Sequence, residues 1–209
     1  MKKALLIVDV QNDFCPGGAL AVPNGDQVVE PLNRAVEYAE TNSWLIMASR
    51  DWHPRKTAHF AEFGGKWPVH CVQYTHGAEF HPFLHLPPRT IVVSKGMSSQ
   101  DDGYSLFEGL YLRASDWPLW PDILLACSHE APAGYRELYI GGLATDYCVK
   151  ATALDAVKRE FKAYLLLDAC RAVNVNPGDG DRAIDEMFEA GVIITNTAMV
   201  LNGEEPRSR

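Results

Sequence analysis

Three reactive side chains follow short apolar segments of the 209-residue sequence. Asp9 comes directly after the run Ala4–Val8, Lys95 follows a second run, and Cys148 lies shortly after a third. A nearby cation lowers the pKa of a thiol and a carboxylate can accept its proton, so these groups could form a cysteine nucleophile with its general base. Each residue alone has an ordinary interpretation: Asp9 as a polar turn residue, Lys95 as a solvated lysine and Cys148 as a small buried residue. The functional interpretation therefore depends on the three meeting in space.

A carboxylate and three histidines form a second group with metal-binding character. Asp51 and His53 are separated by one residue, and His59 and His70 follow in the same segment. Imidazole nitrogen and carboxylate oxygen suit Zn²⁺, Fe²⁺ or Mn²⁺. Histidines in loops are also often merely exposed, and we assign four others to that class: His76, His81, His85 and His129.

Aromatic residues occur in the stretches around both groups. Phe14, Trp67 and Tyr104 are the three of interest. Aromatic rings around a small pocket suit stacking on a flat ligand. Packing within irregular loops is an equally good interpretation, and the sequence leaves this open.

Short apolar runs alternate with helix-like stretches along the chain. The predicted strands are Ala4–Val8, Trp44–Ala48, Ile91–Ser94, Leu138–Ile140, Tyr164–Leu167 and Val192–Thr195. The predicted helices are Val28–Ala39, Cys148–Glu160 and Gly180–Ala190, with a short one over Pro121–Cys127. This alternation predicts a single three-layer α/β/α domain over residues 1–209, with a largely parallel six-stranded sheet and helices on both faces. Because such sheets bind ligands beyond the carboxyl ends of their strands, Asp9, Lys95 and Cys148 are expected to converge.

The composition excludes several classes of protein. Hydrophobic residues make up 47% and charged residues 22% of the chain, as in ordinary globular domains. The net charge of −8 argues against nucleic acid or an anionic membrane surface as a partner. Five cysteines are too few for a disulfide scaffold, and the apolar run Ala4–Val8 is shorter than the roughly 7 residues that a secretory signal needs. We therefore expect a cytoplasmic protein. Its oligomeric state is open, and a homo-oligomer is one of the alternatives.

Five motifs carry these candidate residues. In chain order they are LIVDVQNDF (6–14), SRDWHP (49–54), WPVHCV (67–72), SKG (94–96) and GLATDYCV (142–149). Their combination resembles the nicotinamidases within the isochorismatase-like cysteine hydrolase superfamily, and the resemblance spans about residues 4–200. One segment, Leu110–Gly134, departs from the regular helix that is usual there in the family.

The resemblance implies a role for each reactive side chain. Cys148 is the nucleophile, Asp9 the general base and acid, and Lys95 completes the triad. The family's cis-peptide elbow corresponds to the bond between Leu143 and Ala144. The backbone N–H groups of Ala144 and Cys148 then form the oxyanion hole.

The resemblance also implies one divalent metal ion, with zinc favoured and iron or manganese open. The ligands carried over are Asp51, His53 and His70, and an extra ligand varies within the family. Here His59 and Glu62 both lie in the right stretch; we favour His59 because imidazole is the commoner ligand. The ring-binding positions of the family correspond to Phe14, Trp67 and Tyr104.

The implied reaction is hydrolysis of nicotinamide to nicotinate and ammonia in NAD salvage, with the small molecule as the partner. Three alternatives are weighed against it. An amidase for carbamoyl or ureido compounds would share the triad but lack the Asp-x-His set. A catalytically silent binding protein is disfavoured by the intact triad, and a vinyl-ether hydrolase by the presence of Cys148.

Overall fold

A twisted sheet forms the centre of the computed structural model, which describes residues 2–111 and 134–204. Over those residues its strands are β1 Lys2–Val8, β2 Leu45–Asp51, β3 Ile91–Lys95, β4 Leu110–Tyr111, β5 Tyr135–Leu143, β6 Lys162–Arg171 and β7 Ile193–Thr195. The strand order is β4-β3-β2-β1-β5-β6-β7. Six strands are parallel, as expected, and the two-residue β4 adds an antiparallel edge that the sequence pattern did not indicate.

Helices cover both faces of this sheet, which confirms the three-layer α/β/α prediction. They are α1 Val29–Thr41, α2 Lys150–Lys158, α3 Asp179–Glu189 and α4 Thr197–Leu201. A π-helical turn, Thr145–Val149, leads into α2, so the predicted helix from Cys148 begins with a wider turn and ends two residues early. The predicted strand Leu138–Ile140 is the middle of the nine-residue β5.

Alternate residues of β1 divide the core into two layers. Leu5 and Ile7 face α1 and pack with its apolar stripe, which includes Leu32 and Val36. The alternate side chains of the strand point to the opposite face because successive residues in a strand project to opposite sides. There they meet the apolar residues of α2 and α3, namely Ala153, Ala156 and Met187. Burial on both faces explains why the strands are continuous apolar runs.

The register of the central strands aligns their carboxyl ends. Val8 of β1 pairs with Ser49 of β2 and with Gly142 of β5. On the next pair, Asp51 of β2 lies opposite Lys95 of β3. The polar residues at the strand ends therefore meet at one edge of the sheet, as the parallel topology predicts.

Gly142 is required by the close approach of β5 to β1. Its φ is +130°, and an added Cβ would lie 2.0 Å from the carbonyl oxygen of Val8. Only glycine fits such a conformation and such a contact. The Gly-Gly pair seen in the sequence therefore allows the chain to turn from β5 toward the π-helical turn.

Some sequence predictions lie outside the described residues. These are the short helix Pro121–Cys127, the exposure expected for His129 and the greater part of the unusual segment Leu110–Gly134. In residues 2–111 and 134–204, no helix combines the length and the apolar character needed to cross a bilayer.

Candidate active site

A thiol, an ammonium and two carboxylates lie together at the carboxyl edge of the sheet, and all are buried. The Nζ atom of Lys95 is 3.3 Å from Sγ of Cys148, 2.8 Å from Oδ2 of Asp9 and 2.5 Å from Oδ1 of Asp51. Asp9 follows β1, Asp51 ends β2, Lys95 ends β3 and Cys148 lies in the π-helical turn after β5. The structure therefore brings together the three residues that the sequence singled out, and adds Asp51 to them.

The hydrogen bonds of Lys95 leave one oxygen of Asp9 available. An ammonium has three N–H donors. Those of Lys95 go to Oδ1 of Asp51, to the carbonyl oxygen of Gly103 at 2.7 Å and to Sγ of Cys148. Oδ2 of Asp9 is close enough for an ion pair with Lys95 but receives no well-aligned hydrogen bond among the described residues. This oxygen can therefore accept a proton from the thiol.

Burial sets the protonation states of the thiol and its neighbour. Burial is the main cause that raises the pKa of Asp9 to about 6, and Lys95 and Ser49 partly oppose it. Burial also raises the pKa of the Cys148 thiol well above its usual range, although Lys95 lowers it. Near neutral pH the resting site therefore holds a thiol beside an ionised Asp9, which is the arrangement that general-base activation requires.

The charges of Lys95 and Asp51 stabilise each other. Burial disfavours the charge on each, but the carboxylates of Asp51 and Asp9 raise the pKa of Lys95 well above its usual range. In return, the charge of Lys95 holds the pKa of Asp51 well below its usual range. Both groups are charged at neutral pH.

The second cluster contains the three histidines that the sequence predicted as ligands. His53, His59 and His70 are buried, and each offers one potential ligand atom within 4.8 Å of the others. Every ring also has an acceptor at Nδ1: the Gly96 carbonyl for His53 (2.9 Å), the Pro68 carbonyl for His70 (2.8 Å) and Oδ1 of Asp102 for His59 (2.8 Å). Because each Nδ1 must donate its proton to these oxygens, Nε2 of each neutral ring carries a free lone pair. This is the arrangement found around protein metal ions.

Asp51 links this cluster to the thiol site. Its Oδ1 contacts Lys95, whereas its Oδ2 lies 3.6 Å from Nε2 of His53 and 3.8 Å from Nε2 of His70. Nε2 of His53 is buried and has no hydrogen-bond partner in the part of the chain that the structure describes. A buried polar atom without a partner is costly unless an ion or water satisfies it. The donor set therefore fits a divalent cation.

The structure separates the two candidates for the extra ligand. His59 lies in the cluster, whereas Glu62 is exposed on the short 3₁₀-helix Ala61–Phe63. The geometry thus favours the choice of His59 made from the sequence.

A small pocket opens onto both clusters. Its lining includes the three aromatic residues Phe14, Trp67 and Tyr104, together with Cys148 and His70. Nε1 of Trp67 donates to the hydroxyl of Tyr104 at 2.9 Å, so these rings hold each other in place. The pocket places a thiol and histidine rings within reach of one flat ligand.

Several pocket and support residues were not selected from the sequence. Tyr147 lies within the quoted motif beside Cys148, so its position was the available signal. Ser49 likewise lies within a quoted motif, SRDWHP. The others carry no signal of type or spacing: Leu20, Val173 and Asp102.

The turn that carries Cys148 is fixed by its neighbours. The peptide bond between Leu143 and Ala144 is cis, as the resemblance implied. Both oxygens of the Asp146 carboxylate accept backbone N–H groups, from Val173 at 2.9 Å and Asn174 at 2.8 Å. π-helical turns are rare and often occur at functional sites.

The described cysteines are all free and buried. They are Cys15, Cys71, Cys148 and Cys170. Of the four, Cys148 is the one that receives a hydrogen bond from a lysine.

The chain is similar to known proteins over most of its length. The family model for the isochorismatase domain matches residues 3–107 and 130–199. The nicotinamidase of Escherichia coli (strain K12) is 40% identical over 94% of this chain and 95% of its own length. The pyrazinamidase of Pyrococcus horikoshii, solved in complex with zinc, is 41% identical with a TM-score of 0.81 over 94% of this chain and 99% of that one. PnC1 from L. infantum, solved in complex with nicotinate, is 33% identical with a TM-score of 0.78 and covers 94% and 93% of the two chains.

The parallel sheet, with a buried thiol and its charged partners at the carboxyl edge, defines an α/β enzyme. The chain belongs to the isochorismatase domain family. The resemblance drawn from the five motifs is thereby confirmed.

Proposed function

We propose that this chain hydrolyses nicotinamide to nicotinate and ammonia, and acts on similar pyridine and pyrazine amides. The observation that carries the proposal is a single aromatic pocket bounded by both the Cys148 thiol and the histidine cluster. Such a pocket can hold a flat ring by its faces while a thiol meets the amide. The similarity to a nicotinamidase, and to a pyrazinamidase solved with zinc, supports the same substrate class.

The first half of the reaction forms a thioester on Cys148. Oδ2 of Asp9 accepts the thiol proton, and the thiolate attacks the amide carbon of the substrate. The N–H groups of Ala144 and Cys148 hold the oxyanion that forms. Asp9 then returns its proton to the amide nitrogen, the C–N bond breaks, and ammonia leaves.

The second half consumes one water molecule. Asp9 accepts a proton from the water, whose oxygen attacks the thioester carbon. The C–S bond breaks, nicotinate is released, and the thiolate of Cys148 recovers its proton from Asp9. Lys95 stays charged throughout and stabilises the thiolate by its hydrogen bond to Sγ.

Asp51, His53, His59 and His70 are the residues that would hold a divalent ion. A bound ion supplies a positive centre for the ring nitrogen of the substrate, directly or through water, and so orients the ring. We propose zinc, because a histidine-rich donor set suits it; iron and manganese are the alternatives.

Phe14, Trp67 and Tyr104 are proposed to hold the ring of the substrate. All three line the pocket, and the bond between Trp67 and Tyr104 keeps their rings fixed before a ligand arrives. Rings that are already fixed lose little side-chain conformational freedom when a ligand binds, which favours binding.

The cellular setting follows from charge and thiol chemistry. We propose a cytoplasmic role in NAD salvage, because the described cysteines are free and thiols persist in a reducing compartment. The net charge of −8 supports a small molecule as the partner, in preference to nucleic acid or an anionic membrane.

The test measures ammonia release from nicotinamide by the zinc-loaded protein and its Cys148→Ala variant. We expect the wild type to be active and the variant to lose activity by at least about 10³-fold, because no nucleophile replaces the thiol. Cys170→Ala, which removes a buried thiol that is not bonded to Lys95, is the matched control and should remain active. Activity that survives in Cys148→Ala contradicts the thiol mechanism. A wild type that does not hydrolyse nicotinamide but cleaves a carbamoyl compound favours the other amidase class.

A further inference from the structure

The three histidines of the cluster are oriented by unequal partners. His53 and His70 each donate Nδ1–H to a backbone carbonyl, whose position the fold itself fixes. His59 instead donates to a side chain, Oδ1 of Asp102, at 2.8 Å. Its ring orientation therefore depends on one replaceable carboxylate.

Asp102 holds His59 from the solvent side. The His59 side chain is 3% exposed and points into the cluster, whereas the Asp102 side chain is 63% exposed. The carboxylate meets the ring at Nδ1, so Nε2 is the nitrogen of His59 that is left for the cluster. From that position it cannot contact a cation held between the rings, but it can fix which nitrogen of His59 faces inward.

The backbone around His59 has separate anchors. The N–H of Ala58 donates to the carbonyl oxygen of Ser99 at 2.9 Å, and the hydroxyl of Thr57 accepts the N–H of His59 at 3.2 Å. These contacts do not involve the Asp102 carboxylate. Removing the carboxylate should therefore release the ring of His59 without unfolding the loop that carries it.

We propose that Asp102 is a positioning residue that sets the ring of His59 for binding a divalent cation. It accepts the Nδ1 proton, keeps the Nε2 lone pair directed at the cluster and, as a carboxylate, increases the electron density of the ring. The proposal rests on the proposed function in assigning the histidine cluster to a metal. Asp102 itself contacts neither the ion nor the substrate.

The test titrates metal-free protein with Zn²⁺ against a competing chelator of known affinity. Asp102→Asn should weaken zinc binding by about 10- to 100-fold. Asp101→Asn removes the same charge one residue away and should bind zinc as the wild type does. Equal affinity for wild type and Asp102→Asn overturns the proposal, and so does an equal loss in both variants, because that would be a general effect of charge.

Two further measurements separate positioning from general support of the loop. The melting temperature of the metal-free protein should be the same for wild type and Asp102→Asn, and Asp102→Glu, which keeps a carboxylate, should recover most of the zinc affinity. In Co²⁺-loaded protein, the visible absorption spectrum should change in Asp102→Asn, since it reports ligand geometry. A large fall in the metal-free melting temperature, or an unchanged Co²⁺ spectrum, overturns the proposal.

Kinetics at high zinc distinguish this proposal from the proposed function. With zinc in large excess, Asp102→Asn should recover most of kcat for nicotinamide, because the triad is intact and the cluster is again occupied. A kcat that stays low when the cluster is filled also overturns the positioning role. A wild type that binds zinc but does not hydrolyse nicotinamide refutes the proposed function and leaves the comparison of zinc affinities valid.

Discussion

The protonation state of Asp9 decides when the Cys148 thiol can react. The carboxyl group has a pKa of about 6, because burial opposes its charge more strongly than Lys95 and Ser49 support it. Below that pH the base is protonated and cannot accept the thiol proton; above it the base is ready. We therefore expect kcat/KM to fall as the pH decreases through about 6.

Ser49 provides a specific test of this assignment. Its hydroxyl donates to Oδ1 of Asp9 at 2.8 Å and so stabilises the ionised carboxylate. In Ser49→Ala the pKa of Asp9 should rise further. The acidic limb of the plot of kcat/KM against pH should therefore move to higher pH by about one unit. The control is Ser94→Ala, which removes another buried hydroxyl, one bonded to Arg50. A limb that does not move, or that moves equally in both variants, would exclude Asp9 as the titrating base.

The reactive residues themselves were predictable from the sequence, but their supports were not. Asp9, Lys95 and Cys148 follow recognisable apolar runs, so parallel topology implied that they meet. Ser49 and Asp102 are ordinary polar residues whose importance depends on a single contact across the fold. A contact between residues about 40 positions apart leaves no periodic signal in the sequence.

At the scale of secondary structure, the loop after β3 supports both halves of the site. The carbonyl of Gly96 accepts from His53, and the carbonyl of Gly103 accepts from Lys95. Strands such as β3 were predictable because burial on both faces demands apolar runs. The path of this loop was not, since it depends on tertiary contacts with residues far away in the sequence.

Gly96 tests how closely this loop approaches the cluster. Its φ is +61°, and an added Cβ would lie 2.3 Å from Cε1 of His53. Gly64 also has a positive φ, +94°, but its Cβ would meet nothing within 4 Å. Each change to alanine should cost about 1 kcal/mol of folding free energy for the left-handed backbone. Only Gly96→Ala should also weaken zinc binding, because it displaces the ring.

Denaturant unfolding of the metal-free proteins and zinc titration measure these two effects separately. Comparable zinc affinities for Gly96→Ala and Gly64→Ala would show that the ring of His53 tolerates the extra methyl group. The close packing inferred for the loop would then be wrong.

At the scale of the whole molecule, the site draws on segments that span most of the chain. Asp9 follows the first strand, and Cys148 follows the fifth, so the site exists only in the folded protein. An ion that binds the folded but not the unfolded state stabilises the fold by mass action. Binding and overall stability are therefore linked.

Zinc should accordingly raise the melting temperature of the wild type. At a free zinc concentration about 100 times Kd, the added stability is about 2.7 kcal/mol, which corresponds to an increase of about 5–10 °C for a domain of this size. His59→Ala removes one ring from the cluster and should therefore reduce the increase in melting temperature that zinc causes. Thermal unfolding followed by circular dichroism, with zinc or with chelator, measures the change in melting temperature. If zinc does not raise the melting temperature of the wild type, the protein has no tight metal site.

The shared carboxylate of Asp51 has a consequence for how this site can diverge during evolution. Its Oδ1 contacts Lys95, and its Oδ2 lies near the Nε2 atoms of His53 and His70. A descendant that loses only the histidines keeps both carboxylates, Asp9 and Asp51, beside the buried ammonium, so the thiol site can persist without the metal. A descendant that changes Asp51 disturbs both functions in a single step. The loss of a histidine therefore affects the metal cluster alone, whereas a change of Asp51 also alters the surroundings of Lys95.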